Sequence, residues 1–124
     1  MLAKYEPEGE KTMDAHITSR HFKAHETLID YSEKAVRQLA RYYDGIVRAD
    51  VTLSYEKTRK STKVAEVRLS VHNAVLVGIA KTDDFFKSVD ESVDKVLAQL
   101  KKYKSRLKEK DRTRVRKVRG KLTV

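Results

Sequence analysis

The chain has no cysteine and only one proline, and its four glycines are scattered. Without cysteine it can form neither a disulfide framework nor a thiolate metal site. Its glycines lie too far apart for a phosphate-binding loop, and no nucleophile elbow is present. No stretch approaches the ~18 apolar residues of a membrane span, and no secretory leader is visible. We therefore expect a cytoplasmic protein that is not an enzyme and needs no cofactor.

The positive charge of the chain is concentrated at one end. The 124 residues, about the size of one domain, carry a net charge of +10. Residues 101–124 hold twelve Lys and Arg against Glu109 and Asp111, so residues 1–100 are balanced. Such an excess suits a polyanionic partner, because each neutralised phosphate releases counterions. The alternative is a solvated tail that only aids solubility.

The first part of the chain predicts a strand and then a helix. Apolar and polar residues alternate from Thr12, which is typical of a half-buried strand. Apolar residues then recur at helical spacing over residues 26–43, and Asp44-Gly45 ends that helix.

The middle of the chain predicts three more strands. Alternation over residues 47–55 and 65–71 indicates an antiparallel hairpin with one buried face. Asn73-Ala74 should turn the chain into residues 75–81, an apolar run whose two faces the pattern does not distinguish.

A long amphipathic helix is predicted from Thr82 to Lys108. Thr82 is a suitable N-cap, and Asp83 and Asp84 would then complement the helix dipole in the first turn. At ~1.5 Å per residue the helix would be roughly 40 Å long, against about 20 to 25 Å for the strands. Its basic last turns should therefore project beyond the sheet.

These elements predict an α+β domain of order β-α-β-β-β-α. A four-stranded sheet with both helices packed on one face buries every apolar stripe, and the first strand-helix-strand unit should be a right-handed crossover. We expect a disordered lead over residues 1–11, a folded domain over 12–108 and a flexible basic tail over 109–124.

Neither the histidines nor the carboxylates predict a catalytic or metal site. His16, His21 and His25 fall on a strand, in a loop and at a helix start, without ligand spacing. His25 should cap its helix or be exposed. The carboxylates of residues 83–94 are better explained by capping and solubility than by acid-base chemistry. We expect no metal and no small-molecule substrate.

Two basic clusters favour binding of structured RNA through its backbone. One is the hairpin turn with Lys57, Arg59, Lys60 and Lys63, and the other is the basic end of the long helix. The turn alone is typical of a solvated loop. No recognition helix or zinc finger is visible, so shape recognition of RNA fits better than DNA readout. The tyrosines should pack in the core, with Tyr103 as the candidate for stacking on a base.

Four segments resemble the ribosome hibernation-promoting factor family, which includes the ribosome-associated translation inhibitor and the proteins called sigma modulation proteins or ribosomal subunit interface proteins. They are MDAHITSRH, IVRADVTLSYEK, AVLVGIAKTDDFFKSVD and SVDKVLAQLKKYKSRL. Their order and spacing extend from Met13 to about Arg106. The resemblance implies a fold similar to a double-stranded-RNA-binding domain (dsRBD-like) with an added first strand.

The resemblance also implies a function without catalysis. The protein would bind the small ribosomal subunit between head and body, over the mRNA and the A- and P-site tRNA positions, and inhibit translation by occupancy. In the family the basic face of the second helix contacts rRNA. With the residues of the hairpin turn, the candidate RNA-binding residues are Arg20, Lys57, Arg59, Lys60, Lys87, Lys95, Gln99, Lys101, Lys102 and Arg106.

The chain departs from the family pattern at Ala98, where arginine is common, and at His25, where a threonine cap is usual. One rRNA contact is therefore absent or supplied by the tail. The chain resembles a short form, which either silences single ribosomes or acts with another factor to pair them, and we expect a monomer off the ribosome. The alternatives are a general RNA-binding or RNA-chaperone module, and a protein-interaction domain that uses the open face of the sheet.

Overall fold

Four strands and two long helices follow one another in the predicted order. The computed structural model describes residues 13–58 and 61–122, with side chains as far as Asp111. The predicted lead over residues 1–11 lies outside the described part. The elements are β1 (Asp14–Ser19), α1 (Glu26–Arg37), β2 (Ile46–Tyr55), β3 (Lys63–Val71), β4 (Ala74–Thr82) and α2 (Phe85–Leu122). The α+β class and the β-α-β-β-β-α order are confirmed.

The strands form one sheet in the order β1-β2-β3-β4. β1 pairs with β2 in parallel, as a strand-helix-strand unit requires, while β2, β3 and β4 pair antiparallel. His72 and Asn73, rather than Asn73 and Ala74, form the turn between β3 and β4. Asn73 has φ of 65°, a left-handed conformation that asparagine tolerates well.

The core lies between one face of the sheet and the two helices. Alternate residues of β2 and β3 are fully buried there against apolar residues of α1 and α2. The pairing register also shows which residues of β4 lie on each face of the sheet, a point that the apolar sequence pattern did not decide. Leu76, Gly78 and Ala80 face the helices, and Val75, Val77 and Ile79 face the opposite, open side.

α1 is capped as the sequence predicts but ends earlier. His25 Nδ1 accepts a hydrogen bond from the backbone N–H of Thr27 at 3.1 Å. The α-helix ends at Arg37 and continues as a short 3-10 helix, Gln38–Arg41, which brings the chain to Tyr42. The single helix predicted over residues 26–43 is therefore an α-helix followed by a 3-10 helix that ends at Arg41.

α2 begins later than predicted, because Thr82 still belongs to β4, where it pairs with Lys63. The carboxylate of Asp84 accepts the backbone N–H of Phe86 at 2.9 Å, so Asp84 and not Thr82 caps the helix. No acidic residue lies in the first turn. Thr82 instead accepts the backbone N–H of Asp84 at 3.1 Å and so orients the capping residue.

α2 also ends later than predicted. The helix passes through Lys108, the expected end, and continues to Leu122. Residues 105–119 contain neither proline nor glycine and are rich in Arg and Lys, which favour the helix. With 38 residues α2 is about 57 Å long, against roughly 30 Å for the nine residues of β4. The projection beyond the sheet is confirmed, while the division into domain and tail stays a prediction.

α2 can approach β4 closely because Gly78 lies beneath it. A Cβ atom at Gly78 would lie 2.5 Å from the backbone carbonyl oxygen of Ser92 and 3.1 Å from the Cβ of Lys95. Backbone cannot move aside as a side-chain end can. The absence of a side chain at this position is therefore a condition for the observed packing.

We expect Gly78→Ala to destabilise the protein by about 1–3 kcal/mol, although alanine in a strand interior is otherwise favourable. The measurement is urea denaturation followed by circular dichroism. Gly45→Ala is the comparison, because the atoms nearest to a Cβ there belong to a side chain, the ring end of Tyr43, and not to backbone. A Gly78→Ala protein as stable as the parent would show that the helix does not depend on this contact.

Candidate nucleic-acid interface

One flank of α2 runs along the outer edge of β4. We call it the β4 flank and define it by Lys95, Gln99, Lys102 and Arg106. Steps of three and four residues place these side chains on one side of the helix. The resemblance predicted all four as RNA contacts, and the structure confirms only that they share a flank.

The first two residues of the β4 flank are engaged within the protein. Lys95 Nζ donates to the carbonyl oxygen of Ile79 at 2.6 Å. Gln99 Nε2 donates to the carbonyl oxygen of Val77 at 2.6 Å, and Gln99 Oε1 accepts the backbone N–H of Val77 at 3.3 Å. An RNA contact by either side chain would compete with these bonds.

The other two residues of the β4 flank are free to bind a ligand. Lys102 and Arg106 are exposed. Among residues 13–58 and 61–111, neither has a hydrogen-bond or ion-pair partner. Tyr103 beside them donates its hydroxyl to the carbonyl oxygen of His72 at 2.6 Å, which marks the end of the sheet. The free cations therefore lie where α2 leaves the rest of the fold.

Lys101 belongs to the opposite flank of α2, next to Tyr42. Its Nζ lies 5.5 Å from the centre of the Tyr42 ring, a cation-π distance, and Lys104 Nζ donates to the Tyr42 carbonyl oxygen at 2.9 Å. Lys108 lines the same shallow cleft. Lys104 and Lys108 were not among the predicted contacts, although their spacing from Lys101 places the three on one side of a helix.

Arg20 and Lys57 lie at the other end of the sheet. Both line a cleft with His21, Tyr55 and Glu56, where β1 and β2 end. The backbone N–H of Arg20 donates to the carbonyl oxygen of Leu53 at 2.9 Å. The length of β2, about 30 Å, separates this cleft from the start of the α2 projection.

Of the three remaining predicted contacts, the structure describes only Lys87. Arg59 and Lys60 lie outside the described residues. Lys87, near the start of α2, forms an exposed ion pair with Asp83 at 3.6 Å. Those predicted residues that the structure describes are therefore distributed over two flanks of α2 and one end of the sheet, and do not form one patch.

Tyr103 is packed rather than available for stacking on a base. Its ring meets the Tyr43 ring edge to face at 5.6 Å, in addition to its bond to His72. The tyrosine most exposed beside lysines is Tyr42, with 43% of its surface accessible. The structure thus shows Tyr103 in packing contacts, with its ring against Tyr43 and its hydroxyl bonded at the turn between β3 and β4.

The open face of the sheet carries its cations in pairs with acids. Arg48 bonds to Asp50 at 2.9 Å, and Arg68 lies 3.6 Å from Glu66. The hydrogen bond that Arg48 donates to the Asp50 carboxylate raises the pKa of Arg48 above its ordinary value. This face therefore offers little uncompensated charge to a polyanion, in contrast to the end of α2.

Within the described residues, no three His, Asp or Glu side chains form a group that could hold a metal ion. The described helices include none that is both long and apolar enough to cross a membrane. The groups that α2 exposes where it leaves the sheet are ammonium and guanidinium groups, which bind anions.

Comparison with known proteins assigns the chain to a family. The family model described as "Sigma 54 modulation protein / S30EA ribosomal protein" matches residues 15–108. The chain belongs to this family. Its other members include proteins named ribosome hibernation promoting factor, as the resemblance of the four segments indicated.

Individual relatives match over most of their length. The ribosome hibernation promoting factor of Azotobacter vinelandii is 29% identical over 94 residues, covering 76% of this chain and 85% of the relative. The ribosome hibernation promoting factor of Escherichia coli K12 is 28% identical over 97 residues, covering 78% of this chain and 99% of the relative.

Solved structures of the family share the fold. The N-terminal domain of Thermus thermophilus Protein Y aligns with a TM-score of 0.65 and 26% identity, over 73% of this chain and 99% of that one. A ribosomal subunit interface protein from Coxiella burnetii aligns with a TM-score of 0.68 and 22% identity, over 75% of this chain and 99% of that one. The second likeness supports the fold alone.

The free cations of the β4 flank should contribute more to polyanion affinity than paired ones. We expect Lys102→Gln with Arg106→Gln to elute from heparin at clearly lower salt than the parent. The control is Lys81→Gln with Lys87→Gln, which removes the same charge from cations paired with Glu56 and Asp83 and should shift elution less. Equal shifts would mean that net charge alone, and not its position, sets the affinity.

Proposed function

We propose that this protein is a ribosome-associated hibernation factor that binds the small ribosomal subunit over the mRNA and the A- and P-site tRNA positions, and inhibits translation by occupancy. The observation that supports this most directly is the end of α2, where Lys102 and Arg106 stand exposed on a helix that projects beyond the sheet. The proposal combines that geometry with membership of the family.

Binding would rest on contacts to phosphate and on the shape of the protein. A rigid helix with cations on two flanks can lie between two strands of rRNA and contact both backbones. Lys102 and Arg106 would contact one side, and Lys101 and Lys108 the other, while Lys104 is held by its bond to the Tyr42 carbonyl oxygen. Each phosphate contact releases condensed counterions, so affinity should fall steeply with salt.

A second contact point would lie at the opposite end of the sheet, at Arg20 and Lys57. Two anchors separated by about 30 Å would restrict orientation more than one patch can. Inhibition then needs no chemical step, because the bound protein would occupy space that mRNA and tRNA require.

The second candidate is a general structured-RNA-binding or RNA-chaperone module. It is favoured by the separation of the cations into several exposed clusters, which suits any duplex of adequate length. It differs from the first in predicting similar affinity for naked RNA and for ribosomal subunits.

Co-sedimentation with purified small subunits distinguishes the two candidates. We expect saturable binding at low salt that weakens at higher salt and is displaced by tRNA together with mRNA, because both would occupy the same channel. An RNA hairpin at equal nucleotide concentration is the control competitor. Binding that ignores tRNA and is matched by the hairpin would overturn the occupancy mechanism and favour the general module.

Charge reversal tests the proposed contacts. We expect Lys102→Glu with Arg106→Glu to reduce small-subunit affinity at least tenfold and to lower the salt slope by roughly two, one for each lost phosphate contact. The variant avoids Lys95 and Gln99, whose bonds to β4 would confuse binding with folding.

The matched control for charge reversal is Lys34→Glu with Arg41→Glu, which makes the same change at exposed positions of α1 and the 3-10 helix. Thermal unfolding of both variants checks that each is folded. Equal loss of binding in the two variants would remove the assignment to the β4 flank.

A further inference from the structure

The outer edge of β4 has the composition of a strand that pairs readily. β4 is an edge strand of the sheet, and residues 74–80, AVLVGIA, contain no charge and no proline. Val75 and Ile79 are exposed on the open face, with 53% and 45% of their surfaces accessible. An apolar, uncharged edge of high strand propensity is a template for pairing with another chain.

Helix α2 occupies the hydrogen-bonding groups of this edge. In an antiparallel ladder the backbone groups of alternate residues point away from the partner strand. Three of the four outward groups of Val77 and Ile79 are bonded by side chains of α2. Gln99 bonds both the N–H and the carbonyl of Val77, at 3.3 and 2.6 Å, and Lys95 bonds the carbonyl of Ile79 at 2.6 Å.

We propose that the outer edge of β4 is a strand-pairing surface for a second copy of this chain, and that Lys95 and Gln99 hold it closed in the monomer. The role is separate from RNA binding and does not depend on the ribosome. It gives these two residues of the β4 flank a function in the free protein.

The edge of β4 is self-complementary, which is why the partner is a second copy. Antiparallel pairing of two copies about Val77 would set Val75 of one copy beside Ile79 of the other, and the reverse. This twofold arrangement would join the two apolar strips on the open face into one. Lys81, four residues beyond Val77, would lie outside that contact.

Lys95 and Gln99 can bond the edge of β4 only because α2 lies close to that strand. Gly78 leaves room for the backbone of Ser92, and the side chains on that side of α2 then reach the strand edge. Lys102, on the same flank, has no hydrogen bond to β4 among the described residues, since it lies near the end of the sheet. Lys102 is therefore a control position for substitutions at Lys95 and Gln99.

The test removes the closing bonds while keeping side chains of similar bulk that have no strong hydrogen-bonding group. Lys95→Met with Gln99→Leu should self-associate at least about tenfold more strongly than the parent, measured by sedimentation equilibrium without RNA or ribosomes. Lys102→Met should remain as monomeric as the parent. A folded double variant that stays monomeric at the same concentrations would overturn the proposal.

A third substitution separates strand pairing from simple unfolding. Adding Ile79→Lys places a charge within the apolar strip, so the triple variant should return to the monomer if β4 edges pair. If the double variant aggregates because it unfolds, Ile79→Lys will not restore the monomer, and the proposal fails. Because no RNA is present, failure here leaves the small-subunit binding assays unaffected.

Discussion

The close packing of α2 on β3 and β4 is the contact on which the other features of this protein depend. Gly78 contributes no side chain, and Ser88 and Ser92, both fully buried, are small enough to let the helix backbone approach the strands. Ser88 also donates its hydroxyl to the carbonyl oxygen of Lys63 at 2.8 Å. A larger residue at these positions would lift the helix and separate its flank from the edge of β4.

The position of α2 divides one row of similar side chains into two groups. Lys95 and Gln99 lie beside β4 and bond its backbone, whereas Lys102 and Arg106 lie where the strands end and face solvent. The same helical flank therefore stabilises the sheet edge in its first half and offers free charge in its second. Basic residues of a family helix cannot be assigned one common role from their spacing.

The family match ends at residue 108, while α2 continues to Leu122. All the net positive charge of the chain lies in residues 101–124, half of it within the match, up to Lys108, and half in the residues that follow. A charged helix that extends from a small folded base concentrates the electrostatic attraction at one end of the molecule. A polyanion is therefore attracted more strongly to this end of α2 than to the open face of the sheet, where the charges are paired.

The sequence by itself determined the order of the elements and the presence of a long basic helix, because hydrophobic periodicity is a local property, and it left His25 as a cap or an exposed residue. It placed the start of α2 at Thr82, since it could not show that pairing with Lys63 keeps that residue in β4. Only the tertiary structure decided which face of β4 is open, that Tyr103 is packed, and which cations are engaged. Those properties depend on residues far apart in the chain, such as Gln99 and Val77, which no local pattern relates.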